Sequence, residues 1–297
     1  MTTLQEIPSD LTQALAAAGL EPAFVYAHVL ESIEEDIPDA DVTTAATVDA
    51  GSVATADIVA RANGVVAGLA VAELVLVCVA GPSVVRTRTV KDGDAVRRGD
   101  VLLTVRGPAG LLLTAERTAL NYLCHLSGVA TVTARWVAAL EGSGARVRDT
   151  RKTTPHLRAM EKYAVRCGGG LNHRATLSDQ ALVKDNHVVA AGGVVAAYSA
   201  VRARHRELKI QVEVTTLDQL RELLEMGAEQ ILLDNMSIEQ MAEAVRITAG
   251  RARLEASGGL SLDRAREVAE TGVDYLAVGA LTHSAPVLDV AMDLGDS

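Results

Sequence analysis

The stretch IQVEVTTLDQLRELLEMGAEQILLDN (210–235) decides the fold. IQVEV and QILLDN are short apolar runs of strand character, and TLDQLRELLEMG (216–227) between them sets Leu217, Leu220, Leu223 and Leu224 on one helical face. Thr215 or Thr216 stands where a helix needs an N-cap, and Gly227 where a helix stops. Working outward, RVRDT (146–150), ALVKDN (181–186), RLEAS (253–257) and DYLAVG (274–279) are runs of the same kind. SLDRAREVAETG (261–272) repeats the helical pattern with Leu262, Ala265 and Val268, opened by Ser261 and closed by Gly272, and Ser237 opens another helix. The strand ends Glu213, Asp234, Ser257 and Gly279 are spaced by 21, 23 and 22 residues. That is the length of a βα unit, and its repetition implies parallel strands covered by helices. Six such runs are fewer than the eight of a closed barrel, so an incomplete barrel is expected.

The first half has another rhythm. VVRTRTVKDGDAVRRGDVLLTVRGPAG (84–110) shows short alternating runs broken by Asp-Gly and Arg-Gly-Asp turns, which predicts antiparallel strands in a separate sheet domain. Its DG-x-x-V-x-x-GD run also resembles the hairpins of biotinyl and lipoyl carriers, which need a lysine at a hairpin tip; Lys91 is the only lysine before residue 152. TAERTALNYLCHLSG (114–128) predicts a helix with Thr114 as N-cap and an apolar edge of Leu120, Leu123 and Leu126. Arg117, Asn121 and His125 recur every four residues on another face, as a solvated stripe or as a line of contacts.

Composition narrows the classes. With 49% hydrophobic and 22% charged residues the chain buries a sizeable core, and 1 Phe, 1 Trp and 5 Tyr leave few rings for stacking bases. A net charge of −10 repels nucleic acid and anionic membranes alike. Cys78, Cys124 and Cys167 are widely separated, which suggests neither a disulfide framework nor a zinc site, and MTTLQEIPSD at the start lacks the basic region of a signal peptide. A reducing cytoplasm is the expected compartment. The longest apolar stretch, 64–80, carries Glu73 near its middle, which argues for a buried strand or helix and against a membrane span.

The densest cationic stretch holds Arg146, Arg148, Arg151, Lys152, Arg158, Lys162, Arg166, Arg174 and Lys184, with His156 and His173 among them. In an acidic chain this predicts a pocket for a ligand with several negative charges. A basic helix face over 155–167 accounts for Arg158, Lys162 and Arg166, but not for Arg151, Lys152 and Lys184, which follow or end strands. Glu213 and Asp234 end apolar strands, where a carboxylate is costly without a partner. They suit ribose hydroxyls or a Mg²⁺ ion carrying phosphates, or else a salt bridge to Lys184. Ser257, Gly258 and Gly259 join a strand to a helix, a place where free backbone N–H groups can hold a phosphate. No GxxxxGK[ST] or GxGxxG is present. Lys184 would also suit the Schiff-base lysine of a barrel aldolase, and Asp185 beside it neither supports nor excludes that.

ERTALNYLCHLSGVAT (116–131), DTRKTTPHLRAMEKYAVRCGGGLNHR (149–174), LVKDNH (182–187), EV (213–214), LLDN (232–235), EASGGL (255–260) and VGALTHS (278–284) together resemble the quinolinate phosphoribosyltransferase family, collinearly from about residue 64 onward. The resemblance implies an α/β fold: an N-terminal α+β open sandwich over 1–128, joined by the tail 285–297, and an incomplete β/α barrel over 129–284. It implies transfer of phosphoribosyl from 5-phosphoribosyl 1-diphosphate to quinolinate with loss of the 2-carboxylate, giving nicotinate mononucleotide, diphosphate and CO₂ in de novo NAD synthesis. Arg151, His173, Arg174 and Lys184 would hold the quinolinate carboxylates, with Arg117 reaching in from the neighbouring subunit of a homodimer or a higher oligomer. Thr150 and Lys152 would flank the substrates, with Lys152 and His283 on the diphosphate or phosphate side. Ser257, Gly258, Gly259, Val278, Gly279 and Ala280 would cradle the 5-phosphate. Glu213 and Asp234 would face the ribose and Mg²⁺, which accompanies the phosphoribosyl diphosphate; no organic cofactor is implied. Lys152, Lys184, Glu213 and Asp234 are the expected catalytic groups. A related pyrophosphorylase with another acceptor, and an inactive ligand-binding homologue, remain as alternatives.

Overall fold

A computed structural model describes residues 2–295, which fall into two compact units. The first runs to Val132 and takes in Ala159–Gly169 and the tail from Ala285; the second comprises Thr133–Arg158 and Gly170–Ser284.

The first unit holds strands β1 (Val53–Ala60), β2 (Gly64–Val65), β3 (Val85–Arg88), β4 (Ala95–Val96) and β5 (Val101–Pro108); the last three appear where the alternating runs and turns of 84–110 place them, and β1 and β2 lie before that stretch. β5 pairs antiparallel with β1 and with β3, and β2 pairs with β4. The apolar stretch after β2 forms the helix Leu69–Ala80, buried on every side from Leu69 to Cys78. Glu73, at its centre, is 2% exposed. Its carboxylate takes Arg86 Nη1 at 2.8 Å and also pairs with Arg88 Nε, and Arg86 continues to Asp10 at 3.1 Å. A charge this deep is tolerated because two guanidinium groups neutralise it.

The helix expected over 114–128 is longer at both ends, Ala109–Ala139. Thr114 is therefore not an N-cap; its hydroxyl lies 2.9 Å from the Gly110 carbonyl, inside the helix. The apolar Leu111–Leu113 run and the Pro108 before it move the start upstream. Nor is the polar stripe of this helix uniform: Arg117 and Asn121 are exposed, but His125 Nε2 lies 2.9 Å from Oε1 of the fully buried Glu161. Glu161 belongs to the helix Arg158–Cys167, and so does Lys162, only 4% exposed. The basic helix face anticipated over 155–167 thus holds for Arg166 alone, since Lys162 is buried and Arg158 is turned to Thr153 Oγ1 (2.9 Å) and the Ala175 carbonyl (3.1 Å). Tyr163 donates to Asp92 at 2.7 Å, which also anchors Ala159–Gly169 in the first unit.

The second unit is built on one parallel sheet: β6 (Arg146–Arg148), β7 (Ala181–Val183), β8 (Ile210–Val214), β9 (Gln230–Asp234), β10 (Arg253–Ser257) and β11 (Tyr275–Ala277), in the order β6-β11-β10-β9-β8-β7. These are the six runs read from the sequence. The intervening helices Leu217–Glu225 and Ile238–Thr248 start at Thr216 and Ser237, whose side chains accept from Gln219 N and Gln240 N in capping boxes, each worth about 1 kcal/mol. Ser261 precedes a short 3-10 turn, Leu262–Arg264, and makes no such bond.

The tail then returns to the first unit, where β12 (Val290–Leu294) pairs antiparallel with β1 and completes the order β12-β1-β5-β3. Its approach requires Gly128, since a Cβ there would lie 2.2 Å from the Pro286 carbonyl oxygen.

Removing the Glu73 charge should leave Arg86 short of its buried partner. Glu73→Gln is expected to cost about 3 kcal/mol, seen as a lower urea midpoint at unchanged slope. An unshifted midpoint would mean that Asp10 alone suffices for Arg86.

Candidate active site

Period-two alternation sorts the side chains of the parallel sheet into two faces. Val212, Val214, Ile231, Leu233, Leu254, Ala256 and Leu276 are buried on one. Gln211, Glu213, Asp234, Glu255, Ser257 and Arg148 share the other. The register pairs Glu213 with Leu232 and Leu232 with Glu255, and two residues on it pairs Asp234 with Ser257. The carboxylates expected at the strand ends therefore stand in adjacent strands at the C-terminal edge.

Burial, and then the Asp234 charge, push the Glu213 carboxyl above the usual carboxylate range, against the pull of Lys184 and Lys152. That influence places all four groups in one electrostatic neighbourhood. Among the described residues, neither Glu213 nor Asp234 forms an ion pair with Lys184, so the salt-bridge account of the two carboxylates fails. Among the described residues, the Asp234 carboxylate accepts only from the neighbouring Asn235 Nδ2, at 2.9 Å. Lys184 is exposed at the start of the helix Asp185–Ala191, its backbone N–H donating to His187 Nδ1 at 3.0 Å.

After β6 the chain turns through Asp149, Thr150, Arg151 and Lys152. Asp149 is fully buried and accepts from the His173 backbone N–H and from Asn172 Nδ2, both at 2.7 Å. This fastens the 172–174 loop beside the 150–152 turn, whose Lys152 N–H bonds Thr150 Oγ1 at 3.0 Å. Arg174 is held through Nη1 to the Gln180 carbonyl (3.0 Å). Burial, and then the nearby Arg151 guanidinium, draw its pKa below the ordinary arginine range. Two like charges brought together in this way favour an anion between them. Arg151 Nε is itself buried with no hydrogen-bond partner among the described residues.

The glycines open the rest of the edge. Gly258 has φ +96°, and a Cβ there would lie 2.2 Å from Asn235 Oδ1. A cavity of about 220 Å³ adjoins Gly258 and Gly259, walled in part by Ser237, Ser261 and Arg264. A Cβ on Gly279 would meet both His283 Nε2 and Lys152 Cδ at 3.1 Å, so Lys152, Gly279 and His283 converge. Thr282 Oγ1 donates to the Lys152 carbonyl (2.8 Å), and the Val278 N–H to the Arg148 carbonyl (2.9 Å), which tie the segment holding Val278, Gly279 and Ala280 to the 148–152 turn. Arg117 belongs to the first unit, where it is exposed on the long helix.

Sequence reasoning passed over Gln211 and Glu255. Both lie on the polar face, two positions before Glu213 and Ser257 in their strands, and that parity was the available signal. Arg148 Nη1 reaches Glu255 Oε2 at 2.8 Å, and Gln211 Oε1 lies 2.7 Å from His173 Nε2.

Comparison with known proteins identifies the family. The family model for the quinolinate phosphoribosyl transferase C-terminal domain matches residues 129–293, and that for the N-terminal domain matches 41–127. A nicotinate-nucleotide pyrophosphorylase [carboxylating] from Mycobacterium leprae is 55% identical over 86% of this chain and 91% of its own. A probable nicotinate-nucleotide pyrophosphorylase [carboxylating] from Bacillus subtilis is 40% identical over 88% and 90%. The crystal structure of NadC from Streptococcus pyogenes superposes with a TM-score of 0.89 at 41% identity, covering 93% of this chain and 98% of that one. Both domain models and relatives matched over most of their length give one answer: the chain belongs to the quinolinate phosphoribosyltransferase family.

Proposed function

We propose that this chain transfers the phosphoribosyl group of 5-phosphoribosyl 1-diphosphate to the ring nitrogen of quinolinate and releases the 2-carboxylate as CO₂, forming nicotinate mononucleotide and diphosphate for NAD synthesis. The observation that carries this reading is the pairing of opposites along one sheet edge: Arg151 and Arg174 crowd like charges on one side, and Glu213 and Asp234 do so on the other. The cations suit an acceptor with adjacent carboxylates, to which Lys184 adds a third positive charge. The carboxylates suit ribose hydroxyls and the cationic sugar centre that develops as the glycosidic bond breaks. Lys152 and His283, beside Gly279, suit the departing diphosphate, and the Ser257–Gly259 and Val278–Ala280 backbones suit the 5-phosphate.

No protein nucleophile is required, because the pyridine nitrogen attacks; the residues supply position and electrostatics. Once quaternised, that nitrogen accepts the electrons released at C2. Among the described residues no cluster of three or more His, Cys, Asp or Glu forms a metal cage. Glu213 and Asp234, two carboxylates without a nearby ion pair, fit a Mg²⁺ ion that arrives with phosphates and keeps most of its waters. When bound, that ion neutralises charge on the leaving diphosphate. No helix among the described residues is long and apolar enough to cross a membrane, and the three thiols are free; we assign the enzyme to the cytoplasm.

Quinolinate and nicotinate differ by the carboxylate that Arg151 and Arg174 would hold, and each charge-assisted bond contributes about 1.5–3 kcal/mol. Pure protein with phosphoribosyl diphosphate and Mg²⁺ should convert quinolinate, whereas nicotinate and nicotinamide are not used. Comparable turnover of nicotinate would overturn the assignment.

Arg117 is proposed to complete the acceptor site of the other subunit in a homodimer. Arg117→Ala and Lys184→Ala should each be inactive, yet mixing them under subunit exchange should restore up to about a quarter of wild-type activity, since one site of each mixed dimer then carries neither defect. Proven heterodimers without recovery would place Arg117 outside the partner's site.

Glu213 serves the reaction at a cost to the fold. Its raised pKa means that the native state holds the proton more tightly than the unfolded chain, so the penalty is absent in acid and grows as pH rises through the elevated range. Glu213→Gln should therefore melt higher than the parent at neutral pH, with the gap closing toward acid, while losing turnover. A gap that does not vary with pH would contradict this.

A further inference from the structure

His173 is held from both ring nitrogens. The Arg174 backbone N–H, which can only donate, lies 2.7 Å from Nδ1, so Nδ1 is unprotonated and Nε2 carries the hydrogen. Nε2 donates to Gln211 Oε1 at 2.7 Å, and Glu255 Oε1 lies 3.5 Å from it. The residue is 8% exposed. Glu255 is completely buried; its Oε2 takes Arg148 Nη1 at 2.8 Å, and Arg148 in turn lies 4.6 Å over the Tyr275 ring. Glu255 Oε1 has no hydrogen-bond partner among the described residues, so the Gln211 amide oxygen is the acceptor that lies within hydrogen-bond distance of His173 Nε2.

We propose that Gln211 is a positioning residue of the acceptor site: its amide oxygen holds His173 as the Nε2–H tautomer, so that Nδ1 pins the Arg174 main chain beside Arg151. This rests on the function proposed above and deepens it. The positive charge at this corner then comes from Arg174 and Arg151, and His173 contributes geometry. A protonated or Nδ1–H ring would lose the acceptor that Arg174 N–H requires and loosen the Arg174 main chain, while Asp149 still held residues 172 and 173.

The test uses full-length protein labelled with ¹⁵N-histidine, with His173→Ala to assign the signals. Two-bond ¹H–¹⁵N spectra should show His173 neutral, with Nε2 protonated, between about pH 6 and 8. Gln211→Leu leaves the Glu255–Arg148 pair intact and removes the acceptor at 2.7 Å from Nε2, with Glu255 Oε1 at 3.5 Å the nearest oxygen left. It should mix the tautomers and raise the quinolinate KM and calorimetric Kd about tenfold or more, with the KM for phosphoribosyl diphosphate unchanged. A charged or Nδ1–H ring in the parent overturns the proposal, and so does Gln211→Leu with a parental tautomer and parental quinolinate affinity. A parent that shows the Nε2–H ring but neither binds nor turns over quinolinate overturns the functional reading and leaves the tautomer lock standing.

Discussion

Strand register is the constraint on which the second unit depends. A parallel strand presents alternate residues to opposite faces, so a slip of one position would put Val212 and Leu254 where Glu213 and Glu255 stand, and carry the carboxylates into the apolar layer under the helices. The hydrophobic row thus enforces the placement of the polar row. Fixing Val214 beside Leu233 and Ala256 in the core also fixes Asp234 beside Ser257 one step further along. The site's geometry is inherited from packing that never touches a ligand.

Against that scaffold the chain treats buried charge in two ways. Glu73 is given two guanidinium groups and Asp149 two hydrogen-bond donors, and both are closed structural arrangements. Glu213 is given Asp234 as a neighbour and no ion pair with Lys184, and Arg174 is given Arg151. Unrelieved repulsion of this sort lowers stability unless a ligand relieves it, which is why it concentrates where substrates bind. The net charge of −10 is therefore a poor guide to the local field, which changes sign within one sheet edge.

Much of this was legible in the residues. The six strands of the sheet, the caps Thr216 and Ser237 and the helix stops Gly227 and Gly272 follow from spacing and local propensity, which act over short range. The first unit was less legible, because its long helix begins in a leucine run with no polar cap and its edge strand comes from the far end of the chain. At the site, the exposed cations and strand-end carboxylates announced themselves by being costly. Glu255 and Gln211 did not, because a polar residue within a strand reads as a surface position until register shows which neighbours it faces. Lys162 misled in the opposite direction, a lysine on a helix that proves to be buried. Such errors arise where tertiary partners override what a side chain does in water.

The pairing of β12 with β1 has a bearing on how the protein is made. Residues 290–294 supply the edge of a sheet whose other strands all precede residue 109. The tail also seats on Gly128 of the long helix through Pro286. During synthesis the strands before residue 109 emerge first but must wait, with one sheet edge unpaired, until residues 290–294 have been made. Chains that stop before residue 290 expose that edge, so the first unit closes only after the whole of the second has been synthesised.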